Sequence, residues 1–379
     1  RGYGNMVADE GTIGYSLIGF GGIGFVHAWA VSVVGISFND VFSSNIKLIG
    51  VYNRTLSKAE WAKKKFGFKY ATSDWREILR DNETNAIAVT TPNSLHEEPV
   101  IEAADAGINI LCEKPLGATY EQARRMYDAV TSKNIINSVA LVMRFMPSVI
   151  FAKKYIGENK LGQIYHFRAV VGHSRYVNPD LSIEWRMRKE IAGGGALADI
   201  GIHLVDLAIY LVGDIRSVSA LTKTFIKKRP SPSGKLEEVD VDDAALMIFE
   251  FENNAIGSVE ASRFAPGFQE LDRIEIHGSK GMIRFFLENP FEVYVYNSEE
   301  ERAGVKRIIL KPWDRALWPP SKSVEGWAFL FVKLYHEFFK GILENRKVKP
   351  DFYDGLKAQE VVEAAYISAE EKRWVDLPL

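Results

Sequence analysis

The chain is poor in cysteine, in net charge and in repetition. One of its 379 residues is cysteine, Cys112, so no disulfide can form within the chain. That excludes a small stapled scaffold and suits a reducing cytoplasm, the expected location. Cys112 closes an apolar run and reads as a small buried filler. The formal net charge of −2 supplies no overall attraction to nucleic acid or to an anionic membrane surface, so neither is expected as a partner. No metal site is expected, and the sequence shows no internal repeat or low-complexity tract. Residues 17–38 carry no charge beyond what His27 can bear and are long enough to span a bilayer. They open on a strand pattern, break on glycines, and lack a basic flank or a cleavage-like site. They therefore read as strand, turn and buried helix. Residues 1–5, ahead of Met6, read as a cloning remnant.

The composition that is present is globular, 47% hydrophobic and 25% charged, and the length exceeds one ordinary core, so two domains are expected. Residues 11–142 alternate strand and helix. Strands are predicted at 12–18, 46–52, 86–90, 108–112 and 136–142, with helices at 23–34, from 57 to the glycine at 67, and at 74–80, 94–106 and 120–133. Capping boxes are predicted at Ser57 with Glu60 and at Thr119 with Gln122. Such alternation gives a parallel sheet covered on both faces. After 143 the pattern changes. A helix at 147–155, a strand at 164–171 and a helical run at 196–212 precede alternating strands at 216–225, 244–251, 255–264, 271–277 and 282–286. Helices at 327–345 and 353–371 are expected to cover this second sheet. Residues 230–238 and 311–324 read as loops, the latter (with Trp313, Trp318, Pro319 and Pro320) placed to cover a pocket or a neighbouring subunit.

Gly19, Gly21 and Gly24, with Gly22 and Ile23 between them, follow a strand and open a helix. The first glycine permits the turn, the second lets a pyrophosphate approach the backbone, and the third lets helix and strand pack. The fold class is therefore α/β. An N-terminal Rossmann dinucleotide-binding domain (11–142) precedes a C-terminal α+β domain (143–379) with a large, mainly antiparallel open sheet. At the end of the second strand stand Asn53 and Arg54. An acid here favours NAD(H) by accepting from the ribose; a neutral residue with an arginine favours NADP(H). NADP(H) is accordingly the expected cofactor, with NAD(H) the alternative. Thr91-Pro92-Asn93 and His96 lie where polar groups either touch the nicotinamide ribose or cap the next helix.

Glu113-Lys114-Pro115 follows an apolar strand, at the sheet edge where such folds bind ligands. Glu113 is placed to hold the Lys114 ammonium, and an ammonium beside a reacting hydroxyl stabilises developing alkoxide. Asp199 and His203, four apart in a helical run, share a face. His203 has the intrinsic pKa to take the hydroxyl proton, and Asp199 can orient its ring or bind the substrate. Gly193-Gly194-Gly195 ahead of them suggest close approach of a ligand. Asp206 reads as structural.

Together these residues resemble the Gfo/Idh/MocA oxidoreductases, the glucose-fructose oxidoreductase and inositol dehydrogenase group. The matching parts are the Gly19–Gly24 turn with His27, Thr91-Pro92-Asn93 with His96, Glu113-Lys114-Pro115 and Arg144 with Pro147. Further along are Trp185-Arg186, Gly193 to Asp199 with Gly201 and His203, and Gly278-Ser279-Lys280-Gly281. The resemblance implies Lys114, Asp199 and His203 as the catalytic set and a secondary alcohol of a sugar or cyclitol as substrate. Arg144, Tyr176, Trp185 and Arg186 are candidates for its pocket. It also implies a homodimer or homotetramer through the C-terminal sheet. Two other functions remain as alternatives: a glycosidase that oxidises and re-reduces its sugar on tightly held NAD, and a non-catalytic sensor of dinucleotide or sugar.

Overall fold

A computed structural model describes residues 11–38, 40, 45–267, 271–300, 304–310 and 326–379. Residues 1–5 and the 311–324 segment lie outside them.

The first sheet contains β1 (Ile13–Ile18), β2 (Ile46–Tyr52), β3 (Tyr70–Thr72), β4 (Ala86–Val89), β5 (Asn109–Cys112) and β6 (Asn137–Val139). Its order is β3-β2-β1-β4-β5-β6 and every pairing is parallel. Every residue of β1 and β4 is buried, as expected of strands covered on both faces. The covering helices are α1 (Gly22–Ser37), α2 (Leu56–Phe66), α3 (Trp75–Arg80), α4 (Glu97–Asp105) and α5 (Tyr120–Thr131). The chain order reverses between β1 and β4, which opens a crevice beyond their carboxyl ends. The apolar stretch 17–38 thus becomes the end of β1, the glycine turn and α1.

The second half contributes α6 (Pro147–Gly157), β7 (Ile164–Gly172), the short α7 (Lys189–Ala192) and α8 (Ile202–Leu211). Then come β8 (Ile215–Lys223), β9 (Lys228–Pro230), β10 (Leu236–Glu238), β11 (Ala244–Phe251) and β12 (Ile256–Ser262). The series ends with β13 (Leu271–Gly278), β14 (Gly281–Phe286), β15 (Glu292–Asn297), β16 (Lys306–Ile309), α9 (Trp327–Leu343), α10 (Phe352–Glu371) and β17 (Val375–Asp376). Nine strands form one sheet, ordered β16-β15-β14-β13-β7-β12-β11-β8-β17. The β7–β12 pair is parallel and the remaining pairs are antiparallel. Helices α8 and α10 pack on its inner side. The span Lys189–Leu211, whose helix is broken at residues 193–195, is long and apolar enough to cross a membrane by composition, and 78% of its most apolar window is buried within the protein.

Several expectations need correction. The 230–238 loop forms one arm of a separate hairpin, β9–β10. Strands β15, β16 and β17 are short and polar-flanked, and carry too weak an alternation to be read. Only α10 serves the second sheet as expected; α9 returns to the first half and packs on α1 and β1. There Tyr335 places its hydroxyl 2.6 Å from that of Tyr15. Thr55, not Ser57, precedes α2, and no side chain caps that helix; the Thr119–Gln122 capping box is present as read.

Candidate active site

The glycine turn has distinct reasons at each position. Gly19 has φ +105°, and a Cβ there would lie 2.8 Å from the Thr90 carbonyl carbon. A Cβ on Gly24 would lie 2.5 Å from Gly19 O, so α1 and β1 meet backbone to backbone. Gly21 and Gly22 face open space, with nothing within 4 Å of a Cβ at either. No side chain caps the start of α1. Its first amides therefore point into the cleft with a positive dipole end, an arrangement that fits a pyrophosphate.

The cleft holds about 730 Å³ and runs from this turn to the second sheet. At one end it is lined by Gly19, Gly21, Gly22, Ile23, Asn53, Arg54 and Lys58, and further along by Thr91, Pro92 and Asn93. Both ends of the Asn53 amide bind the protein: its Nδ2 donates to Phe20 O (2.8 Å) and its Oδ1 accepts from Thr55 N (2.8 Å). Asn93 donates to Ala192 O at 2.8 Å, tying the first half to α7. His96 is fully buried and absent from the cleft wall. Its ring nitrogens face the carbonyls of Pro115, Leu116 and Thr91, so it braces the loop after β5 and its side chain does not cap α4.

Lys114 reaches the cleft from that loop, and its Nζ donates to Asp199 O (2.6 Å) and Oδ1 (3.3 Å). Glu113 does not hold the ammonium. Its Oε2 accepts from the Lys114 backbone N–H (3.0 Å), and its Oε1 accepts from His27 Nε2 (3.0 Å). The chain continues through His27 Nδ1 to the Tyr335 hydroxyl at 2.7 Å. Glu113 thus anchors the loop to the core.

Asp199 does not lie on a regular α-helix. Residues Leu197–Gly201 form a π-turn that merges into α8, a local widening common at functional sites. Burial opposes the Asp199 charge, but Lys114, Arg263 and Arg186 outweigh it and hold the carboxyl far below its usual range. Its Oδ2 accepts from Arg263 Nη2 at 2.9 Å. His203 makes no hydrogen bond to Asp199, so the ring is not oriented that way. Its Nδ1 is buried without a partner among the described residues, and burial together with the Lys114 charge pushes its pKa down to about 3. The imidazole is neutral at working pH.

The three glycines before the π-turn serve protein packing, not ligand approach. Cβ atoms there would lie 2.0 Å from Ala118 O, 2.2 Å from the Tyr366 hydroxyl and 1.8 Å from Asp242 O. Asp242 accepts from Gly195 N (2.7 Å) and Leu197 N (2.9 Å), and the Tyr366 hydroxyl donates to Asp242 at 2.7 Å. These two side chains clamp the turn that presents Asp199.

Trp185 and Arg186 line the far end of the cleft, the guanidinium 4.3 Å over the indole ring, together with Met143, His173, Arg175 and Asp272. Arg144 and Tyr176 do not. Arg144 is buried in ion pairs with Asp206 (2.5 Å) and Asp354 (3.3 Å), and Asp206 is structural as read. Tyr176 lies under Arg263 and hydrogen-bonds Glu184. Arg263, Asp242 and Tyr366 carried no motif signal; Arg263 follows an apolar strand, Tyr366 lies within a helix, and Asp242 is one of several acids between 237 and 243.

A parallel sheet with an open glycine turn at its switch point, joined to a lysine–aspartate–histidine cluster, defines a dinucleotide-dependent oxidoreductase. Comparisons agree. Residues 13–141 match the profile described as "Oxidoreductase family, NAD-binding Rossmann fold", and 153–377 its "C-terminal alpha/beta domain". Levoglucosan dehydrogenase of Pseudarthrobacter phenanthrenivorans is 37% identical, over 97% of this chain and 98% of that protein. A solved levoglucosan dehydrogenase in complex with NADH and levoglucosan superposes with a TM-score of 0.92, covering 97% of this chain and 100% of the other at 37% identity. The NAD(+)-dependent scyllo-inositol 2-dehydrogenase of Bacillus subtilis is 29% identical over 72% of this chain and 74% of its own. The chain belongs to the Gfo/Idh/MocA oxidoreductase family.

Proposed function

We infer that the protein moves hydride between a nicotinamide cofactor and a secondary alcohol of a sugar, sugar derivative or cyclitol. The observation that carries this reading is Lys114 Nζ, held by Asp199, in one cleft with His203 and the open glycine turn. The bound nicotinamide supplies the hydride acceptor or donor. In the oxidative direction, Lys114 stabilises the alkoxide forming at the substrate oxygen and His203 takes the hydroxyl proton. Burial and the Lys114 charge keep the imidazole unprotonated and able to accept a proton, and the same charge favours the alkoxide. Asp199 fixes the ammonium in place of orienting the ring. Trp185 and Arg186 offer a flat apolar face and donors to ring hydroxyls.

At the adenosine end Arg54 and Lys58 form no ion pair with a carboxylate among the described residues, and Asn53 brings no charge to repel a phosphate. Charge there favours a 2′-phosphate, hence NADP(H), while similar structures carry NADH. With no acid to repel phosphate, discrimination between the two stays below about tenfold, or ~1.4 kcal/mol. A second copy of the chain covers the open face of the second sheet, where Leu221, Leu246, Ile248 and Ile256 are each more than half exposed. Light scattering behind gel filtration tests that arrangement, which predicts a dimer or tetramer.

The deciding experiment follows reduced-nicotinamide absorbance with NAD+ and NADP+ over levoglucosan, inositols and glucosides. Turnover of one of them is expected. No reduction by any, with cofactor released only on denaturation, would replace this reading with the internal redox cycle of a glycosidase.

A further inference from the structure

Arg263 follows β12 and carries a guanidinium that is 1% exposed. Its Nη2 donates to Asp199 Oδ2 (2.9 Å), its Nη1 donates to Arg186 O (3.1 Å), and its plane lies 5.0 Å from the Tyr176 ring centre. Its Nε is buried and finds no partner among the described residues. Burying a cation is costly unless it is paired, and among the described residues Asp199 is the carboxylate this one pairs with. Asp199 is therefore gripped from two sides. Arg263 takes Oδ2, and Lys114 takes Oδ1 and the main-chain oxygen. The rotation of the carboxylate, and with it the place of the ammonium, follows from this double hold.

We propose that Arg263 is a positioning residue for hydride transfer, holding the Asp199 carboxylate ionised and turned so that Lys114 stays at the reacting hydroxyl. The proposal rests on the catalytic reading above. Arg263 touches neither substrate nor cofactor and acts through Asp199. The groups around Asp199 are Lys114 from the loop after β5, His173 beyond β7, Tyr176 and Arg186 from the loops that follow, and His203 on its own helix. Removing Arg263 subtracts one of the charges that keep the carboxyl ionised and leaves the burial that opposes ionisation. The carboxyl pKa then rises, and protonation at lower pH removes the charged half of the hold on Lys114, leaving the main-chain oxygen.

The test compares the full-length wild type, Arg263→Gln and Arg263→Lys on the best substrate of the sugar panel, with reduced-cofactor binding followed by fluorescence. Arg263→Gln is expected to keep its cofactor affinity and to lose about 10²-fold in kcat, the cost of an ångström-scale misplacement. Its kcat falls further as pH drops, where the wild type stays flat. Arg263→Lys keeps the charge, loses the fork to Arg186 O, and recovers part of the rate. Should Arg263→Gln not fold, Arg263→Lys alone carries the test: with the charge kept and the bond to Arg186 O lost, kcat falls at every pH while reduced-cofactor affinity is unchanged. Wild-type kcat and pH profile in either folded variant would overturn the proposal, as would loss of cofactor binding in step with rate in both. An inactive wild type would instead sink the hydride-transfer reading, and that is seen before any substitution is made.

Discussion

The two ends of the cleft are built on different principles. The cofactor end is made of backbone: a turn from residue 19 to 24, glycines whose missing side chains leave room, and uncapped amides. The opposite end is made of side chains from three separated segments, Lys114, Asp199 with His203, and Arg263, with Asp199 held by both Lys114 and Arg263. A backbone site is local in sequence and tolerates change around it. A side-chain network is distributed and fails at the loss of any member.

Substitutions can sharpen that contrast. The largest effect is expected at Arg144, in the core beside the cleft. Arg144→Met leaves Asp206 buried and unpaired and should cost about 3–5 kcal/mol of stability. Thermal unfolding reads this out, and an unchanged KM for the sugar in the folded fraction would place Arg144 outside the pocket. At the backbone site, Gly24→Ala forces a Cβ within 2.5 Å of Gly19 O. Overpacking of this kind costs about 1–3 kcal/mol. It should appear as weaker cofactor binding by calorimetry, with the sugar KM at saturating cofactor unmoved. Thr119→Ala removes the cap of α5, remote from both ends, and should cost about 1 kcal/mol in denaturant unfolding with kcat intact. The smallest effect is an absence. A histidine with its pKa pushed down to about 3 stays an unprotonated base as pH falls. The kcat/KM for alcohol oxidation should therefore show no acid limb near pH 6.5, the usual histidine value. A limb there would show His203 titrating normally.

The same contrast explains what could be read in advance. The strand–helix alternation of the first half, the glycine turn and Glu113-Lys114-Pro115 are contiguous, so their spacing carries their geometry. Asp199 and His203 were found because four residues separate them, yet their relation was misjudged, since a π-turn and not an α-turn carries Asp199. Gly193 to Gly195 are needed for packing against Ala118, Tyr366 and Asp242, partners from about fifty to over one hundred and seventy residues away in three cases of long-range closure. Arg144 pairs with Asp206, 62 residues away, and Tyr176 lies under Arg263, while His96 binds backbone carbonyls of two loops, so the burial of all three was invisible from local pattern. The return of α9 to α1 was hidden because amphipathicity shows that a helix packs, not on which sheet.

The central claim is that Lys114 acts on the reacting hydroxyl and not on the cofactor. Lys114→Met, assayed for reduced-cofactor affinity and for kcat in the same preparation, tests it most directly. The account predicts a loss of about 10²–10³-fold in kcat with cofactor affinity preserved. A variant that keeps wild-type kcat, or that loses rate only because it no longer binds cofactor, would contradict it.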